Sequence, residues 1–368
     1  MKAWDGLLER LAEAAAIVEG PIGAQTGRER AEGHRHLLRI LSIATEMLVE
    51  KGDPERPRFT RWMSAHRKMY GDNPGTVYDA AVIDGSRAYV IRGSRGSCAY
   101  LGFCLYGTDA KGAKRIAGNL DDDEITFGAD GSFELRLEPG GGDLPLDPDV
   151  TEVMVRQYFV DPLTEQQATY TIEQVPDAGP PPPLTEDVLA ERLDRLGAYV
   201  RDTVEAEVTL SALSASIATA VFRAGNEYVD ADGNPTPPPV DLDAVVRVMP
   251  TPAIQYSGQW FDGLRDDEAI LIDGTVPDCR YWSISLLSRF MESGDWEHLP
   301  VALTGRDIGA PVGQRFRVVV AHSDPGTGGS WLSTGGLTSA NLAVRALKSD
   351  GVLDLTFTRI PLSDLESA

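Results

Sequence analysis

Apolar residues recur at helical spacing twice near the start of the chain, as Leu7, Leu11, Ala15 and Val18 and again as Leu37, Leu41, Ala44 and Leu48. Steps of three to four residues place them on one side of a helix, and Gly52 and Pro54 end the second run. The period then shortens to two. SFELRLEP (132–139) and ATYTI (168–172) alternate as half-buried strands do. Helical spacing returns after Thr185, a suitable N-cap, with Leu189, Leu193, Leu196 and Val200, and continues past a weak spot into Leu210, Leu213, Ile217 and Val221. That pattern predicts a helical pair. VVRVM (245–249) opens a second β-rich stretch closed by LTFTRI (355–360). The stiff run Pro180–Pro183 and the turn-rich DGNPTPPPV (232–240) read as linkers. The resulting division is a helical N-terminal segment 1–56, a β unit 57–176, a helical connector 184–228 and a second β unit 243–363.

The two β stretches resemble each other. Residues 88–106 align without a gap on 269–287, with six identities: Ala88/Ala269, Ile91/Ile272, Gly93/Gly274, Cys98/Cys279, Tyr100/Tyr281 and Leu105/Leu286. SFELRLEP recurs as RFRVVVAH (315–322), and TEVMVRQYFVD (151–161) as ANLAVRALKSD (340–350), which sets Arg156 against Arg345 and Asp161 against Asp350. An internal duplication follows. The expected fold class is α+β, mostly β: two related antiparallel β-sandwich or jelly-roll-like units, an N-terminal helical segment and a helical insertion between them.

Alternation also assigns faces. Leu101, Phe103 and Leu105, and Trp282, Ile284 and Leu286, point to one side. The other side carries Tyr100, Gly102, Cys104 and Tyr106 in the first copy, and Tyr281, Ser283, Ser285 and Leu287 in the second. This small, amphipathic face suits either a helix or loop packed closely over it, or a ligand on a Gly/Ser floor between tyrosines. Arg156 and Arg345 sit inside apolar strands, a costly place for an unpaired charge. Two readings stand: structural ion pairs with Asp161 and Asp350, or arginines that face a pocket and bind an anionic or hydroxylated group.

Charge narrows the partners. With 56 acidic against 34 basic residues, the formal charge of −22 repels phosphate backbones and anionic membrane surfaces. No nucleic acid or membrane partner is expected, and no apolar run approaches the length of a span. The first twenty residues carry acids inside the apolar stretch, unlike a secretory leader. A cytoplasmic location is expected, and the three cysteines read as reduced, buried thiols.

Candidate chemistry is sparse. His34 and His36 point apart on a helix, and the acids 121–124 flank a β-hairpin, so neither is read as a metal site, and no cofactor is expected. PGGGD (139–143) and DPGTGGS (324–330) lie between strands and read as turns rather than phosphate loops. There is no GxSxG, CxxC or HExxH. In HRKMYGDNPGTVYDAAVIDG (66–85), Asp72 and Asn73 before Pro74 signal a turn that could bring His66, Asp72, Asn73 and Tyr78 to the end of a sheet. An Asx-type turn that only stabilises the loop is the alternative.

DNPGTVYDAAVIDG, AYVIRG, RYWSISL, VVVAHSDPG, SWLSTGG and LAVR together resemble bacterial proteins that carry the domain of unknown function 1214, often found with domain 1254. The resemblance spans about 70–106 and 269–346 and rests on Asp72, Asn73, Thr76 and Tyr78, then on Trp282, Ser283, Trp331, Leu332 and Arg345. Ser330 replaces the usual Asn, and Leu287 and Ser288 stand where Tyr-Asp is typical. It implies two β-sandwich or jelly-roll-like units joined by helices and no agreed chemistry. The functional expectation is an enzyme or accessory enzyme of small-molecule metabolism that holds a partly apolar, hydroxylated lipid, terpenoid or sugar derivative between the β units. His66 or Asp72 would supply acid–base function, and Asn73, Tyr78, Tyr100, Arg156, Tyr281, Ser283 and Arg345 would bind substrate. The alternative is a non-catalytic binding module or a homo-oligomeric assembly module.

Overall fold

In a computed structural model of the chain, residues 2–108, 114–216, 220–223, 227–229, 235–236, 249–326, 328–351 and 353–365 are described. The chain divides into two compact units. Unit 1 comprises Met1–Lys68, Thr76–Val208 and Val245–Met249; unit 2 comprises Met69–Gly75, Thr209–Ala244 and Pro250–Ala368. The stretch leading into the first long strand of each unit therefore belongs to the other unit.

Unit 1 opens with helices α1 (Lys2–Val18) and α2 (Gly27–Ala44), which passes into a π-helical turn Thr45–Glu50. Thr26 and Glu29 form a capping box at the start of α2. Nine strands follow: β1 (Thr60–Arg61), β2 (Thr76–Val82), β3 (Ala88–Ser94), β4 (Tyr100–Thr108), β5 (Lys114–Asp121), β6 (Ser132–Glu138), β7 (Gly141–Gly142), β8 (Val150–Tyr158) and β9 (Thr169–Val175). They build one sheet of order β1-β2-β8-β4-β5 and another of order β7-β6-β3-β9. Leu101, Phe103 and Leu105 of the first sheet and Ile91, Phe133 and Leu135 of the second share one core, so the two sheets form a sandwich.

The connector is one helix, α3 (Glu186–Ser216), not the expected pair. Nor does the connector stay helical to residue 228, because Ala220–Arg223 and Glu227–Val229 are strands β10 and β11. β10 pairs antiparallel with β13 (Ile254–Phe261), and an open sheet edge overrides a helical period carried by few residues. VVRVM lies outside the described residues but for Met249, as does Ile217.

Unit 2 continues with β12 (Pro235–Thr236), β13, β14 (Glu268–Thr275), β15 (Tyr281–Leu287), β16 (Ala302–Thr304), a short helix α4 (Gly305–Ile308), β17 (Arg315–Ala321), β18 (Ser330–Ser333), β19 (Ala340–Leu347) and β20 (Leu355–Pro361). Its sheets run β12-β11-β10-β13-β19-β15-β16 and β18-β17-β14-β20. The strand orders β2-β8-β4 and β6-β3-β9 thus recur as β13-β19-β15 and β17-β14-β20. Trp282, Ile284 and Leu286 face the unit 2 core with Ile272, Phe316 and Val318, as alternation requires.

Gly93 and Gly274 test the duplication atom by atom. Gly93 sits between Phe133 and Tyr170, and Gly274 between Phe316 and Leu355. A Cβ at Gly93 would meet the Phe133 ring at 2.8 Å, and one at Gly274 would meet the Phe316 ring at 2.9 Å. The thiols agree too: Cys98 Sγ donates to the Tyr100 carbonyl at 3.3 Å and Cys279 Sγ to the Tyr281 carbonyl at 3.4 Å. Cys98 and Cys104 are buried, whereas Cys279 is only partly so. The two units are copies of one module.

Candidate functional site

The outer face of the large sheet in unit 2 is organised around Arg345 on β19. Residues opposite one another in an antiparallel ladder share a face, so Arg345 stands between Ser283 on β15 and Tyr256 on β13, with Tyr281, Ser285 and Leu287 beside them. Tyr281, Ser283, Ser285, Leu287 and Arg345 are all buried. Their cover is the strap Met69–Gly75 together with Met291 and Leu210. A segment therefore packs over this face, as one of the two expected readings has it.

Hydrogen bonds at Gly71, Asp72 and Asn73 tie the strap down. Arg345 Nη2 donates to the Gly71 carbonyl at 2.5 Å, and Gly71 N donates to the Met291 carbonyl at 2.7 Å. Asn73 Nδ2 donates to the Tyr281 hydroxyl at 3.0 Å. Asp72 accepts from Ser293 twice, from N at 2.8 Å and from Oγ at 2.5 Å. Arg345 Nη1 also donates to Ser285 Oγ at 2.5 Å. Burial pushes the Tyr281 phenol above its usual range, against the pull of nearby Ser283, Asn73 and Arg345. Across from Arg345, Ser283 Oγ is buried and has no hydrogen-bond partner.

Unit 1 builds the same floor differently. Arg156 on β8 stands between Tyr78 on β2 and Gly102 on β4. It donates to the carbonyl of Met249, and its guanidinium lies 5.9 Å from the Tyr78 ring centre and 5.6 Å from that of Tyr106. Tyr106 Oη donates to the same carbonyl at 3.3 Å. Tyr100 folds over Gly102, where a Cβ would lie 2.6 Å from its ring. Burial raises the phenols of Tyr100 and Tyr106 and the thiol of Cys104.

The predicted residues thus sort into two sets. Tyr78, Tyr100 and Arg156 share the floor of unit 1, while Asp72, Asn73, Tyr281, Ser283 and Arg345 meet in unit 2. His66 joins neither set; it lies exposed in the turn Ser64–Arg67, where its backbone N donates to Ser64 Oγ at 3.3 Å. The expected ion pair of Arg345 with Asp350 is not formed: Asp350 is exposed, and the hydrogen-bond partners of Arg345 are a hydroxyl and a carbonyl. Asp161 accepts from Leu163 N and shapes a turn. Alternation places a strand arginine on a face but cannot show that a distant carbonyl will reach it.

His34 is exposed and His36 buried, pointing apart as i and i+2 require. Asp121, Asp122 and Asp123 have oxygens within 4.8 Å of one another, with Asp122 paired to Arg95.

Sequence reasoning missed Tyr256, the counterpart of Tyr78. Its signal is the repeated Tyr-x5-Asp-Gly-x-Arg, at Tyr78-Asp84-Gly85-Arg87 and Tyr256-Asp262-Gly263-Arg265. Three extra residues between Arg265 and Ala269 break the ungapped alignment there. The same offset pairs Gly71 with Met249, the two carbonyls that the arginines hold. Both have positive φ, +68° and +53°.

No protein-family model matches the chain, and no curated protein does. Among solved structures, the chain is similar to a putative uncharacterized protein from Burkholderia cenocepacia at 28% identity and a TM-score of 0.86, over 98% of this chain and 97% of that one. A protein from Vibrio parahaemolyticus matches at 12% identity and a TM-score of 0.46, over 95% of this chain and 99% of that one. The Burkholderia likeness extends through both units, so the duplicated architecture is a known fold.

Proposed function

We propose that unit 2 is a small-molecule binding unit whose ligand presents a carboxylate or hydroxyl group to Arg345 and Ser283 beneath the strap Met69–Gly75. The observation that carries this reading is a buried cation with neutral partners. Arg345 is 4% exposed, carries five N–H donors, and meets one hydroxyl and one carbonyl. Burying a charge without a counter-charge costs several kcal/mol, and an anionic group would offset that. Ser283 Oγ, opposite and without a hydrogen bond, is a ready second contact.

The arrangement supports binding more than turnover, since Ser293 engages the Asp72 carboxylate and His66 is in solvent. The acidic composition and three free cysteines support a cytoplasmic setting for a metabolite ligand. Among the described residues no helix is long and apolar enough to cross a membrane. Native mass spectrometry of freshly purified protein tests the reading: bound mass should appear on the wild type and on Arg156→Met, and be lost from Arg345→Met. Bare masses for all three, with no thermal response to acetate, lactate or glycerate, would overturn it.

A second reading, homo-oligomeric assembly, is favoured by Trp4, Leu8 and Leu38 on α1 and α2, which are 56%, 51% and 66% exposed. A monomer mass that holds up to high protein concentration would exclude it.

A further inference from the structure

The inner faces of the two large sheets differ in a way the outer faces do not explain. In unit 1, the row Val77–Gln157–Leu101 and the row Asp79–Val155–Phe103 look into the sandwich. Its polar members are satisfied. Asp79 accepts from Arg61 Nε at 2.7 Å and from Tyr170 Oη at 2.6 Å. Gln157 donates to Tyr170 Oη at 3.1 Å and accepts from Ala168 N at 2.7 Å. The phenol of Tyr170, arriving from β9 beside Gly93, joins them into one network.

Unit 2 repeats the rows as Gln255–Ala346–Trp282 and Ser257–Val344–Ile284. The counterpart of Tyr170, beside Gly274, is Leu355, and the counterpart of Gln157 is Ala346. Both replacements are smaller and carry no side-chain hydrogen-bonding group, yet Gln255 and Ser257 remain polar. They are 5% and 4% exposed, and Gln255 Nε2, Gln255 Oε1 and Ser257 Oγ have no hydrogen-bond partner. Buried polar atoms without partners are rare in folded chains, and an ordered water or a bound group satisfies those that occur.

We propose that the inner face of β13 holds a second ligand site, which takes the amide or hydroxyl head of a small neutral molecule with an apolar body. The Gln255 amide offers one donor and one acceptor side by side, matching a carboxamide edge or a hydroxyl, and Ser257 adds a third contact. The surrounding core of Val344, Ile284, Trp282 and Leu355 accepts an apolar body and disfavours a charge.

Hexanamide and hexanol serve as probes, with hexanoate as the charged control, in thermal-shift and native-mass measurements on the whole chain. Wild type should show a saturable rise in melting temperature with the neutral probes and none with hexanoate. The response should vanish in Gln255→Leu/Ser257→Ala and persist in Arg345→Met, which separates this site from the one on the outer face. Ala346→Gln/Leu355→Tyr, which restores the side chains of unit 1, should melt higher than wild type and lose the response. An equal response in wild type and Gln255→Leu/Ser257→Ala would overturn the proposal. So would no response in wild type together with a high-resolution crystal structure showing only ordered water between Gln255 and Ser257.

Discussion

Unit 1 and unit 2 share strand order and register, yet one surrounds its central arginine with aromatic rings and the other leaves it among hydroxyls. Arg156 lies between Tyr78 and Tyr106, whereas Arg345 has Ser283, Ser285 and the Gly71 carbonyl around it. One atom accounts for much of this. Gly102 lets Tyr100 fold back across the sheet, while the Cβ of Ser283 fills the equivalent space and Tyr281 extends to Asn73 instead. Duplicated backbones therefore keep their scaffold while single side chains turn a filled face into one with polar groups to spare.

The largest expected effect tests whether the scaffold is the same in both copies. Gly93→Ala and Gly274→Ala each drive a Cβ into a backbone carbonyl, of Thr169 and Asp354 respectively, and into a core phenylalanine. Each should destabilise by about 3 kcal/mol, as overpacking at a site that cannot relax does; denaturant unfolding that found one of them neutral would break the equivalence. Next come the arginines. Arg156→Met removes a charged donor and its contacts with two rings and should cost about 3 kcal/mol, while Arg345→Met, which also removes a buried charge lacking a counter-charge, should cost about 1 kcal/mol. Equal losses would mean that the two floors are energetically alike.

Exchanging the deciding residue gives a smaller effect. Gly102→Ser should displace Tyr100 at a cost of about 2 kcal/mol, whereas Ser283→Gly should cost only the backbone freedom of a strand glycine, about 0.5–1 kcal/mol, because its hydroxyl has no well-formed hydrogen bond to lose; chemical denaturation of both variants checks the asymmetry. The smallest test concerns the straps. Gly71→Ala should destabilise by about 1 kcal/mol because glycine suits its positive φ, the conformation it shares with Met249. Melting curves that moved the other way would show that the two straps are not equivalent.

Much of the fold was legible because its signals are local. Leu101, Phe103 and Leu105 alternate with Tyr100, Gly102 and Cys104, and the core took the first set. The site was legible only in its members. Asn73, Tyr281, Ser283 and Arg345 do come together, but His66 does not, and Tyr256 escaped notice behind a three-residue insertion. The end of the connector was misjudged because β10 and β11 owe their existence to a neighbouring strand rather than to their own periodicity.

The amino-acid order alone determined that one β module occurs twice, which side of each repeated strand is apolar, and that both arginines fall on corresponding positions. Period-two alternation and spacing between identical residues need no knowledge of distant neighbours. Only the tertiary structure decided what the arginines hold, since Gly71 is 274 residues from Arg345 and Met249 is 93 from Arg156. Such partners are chosen by which chain segment crosses the sheet, and a linear pattern carries no record of that crossing.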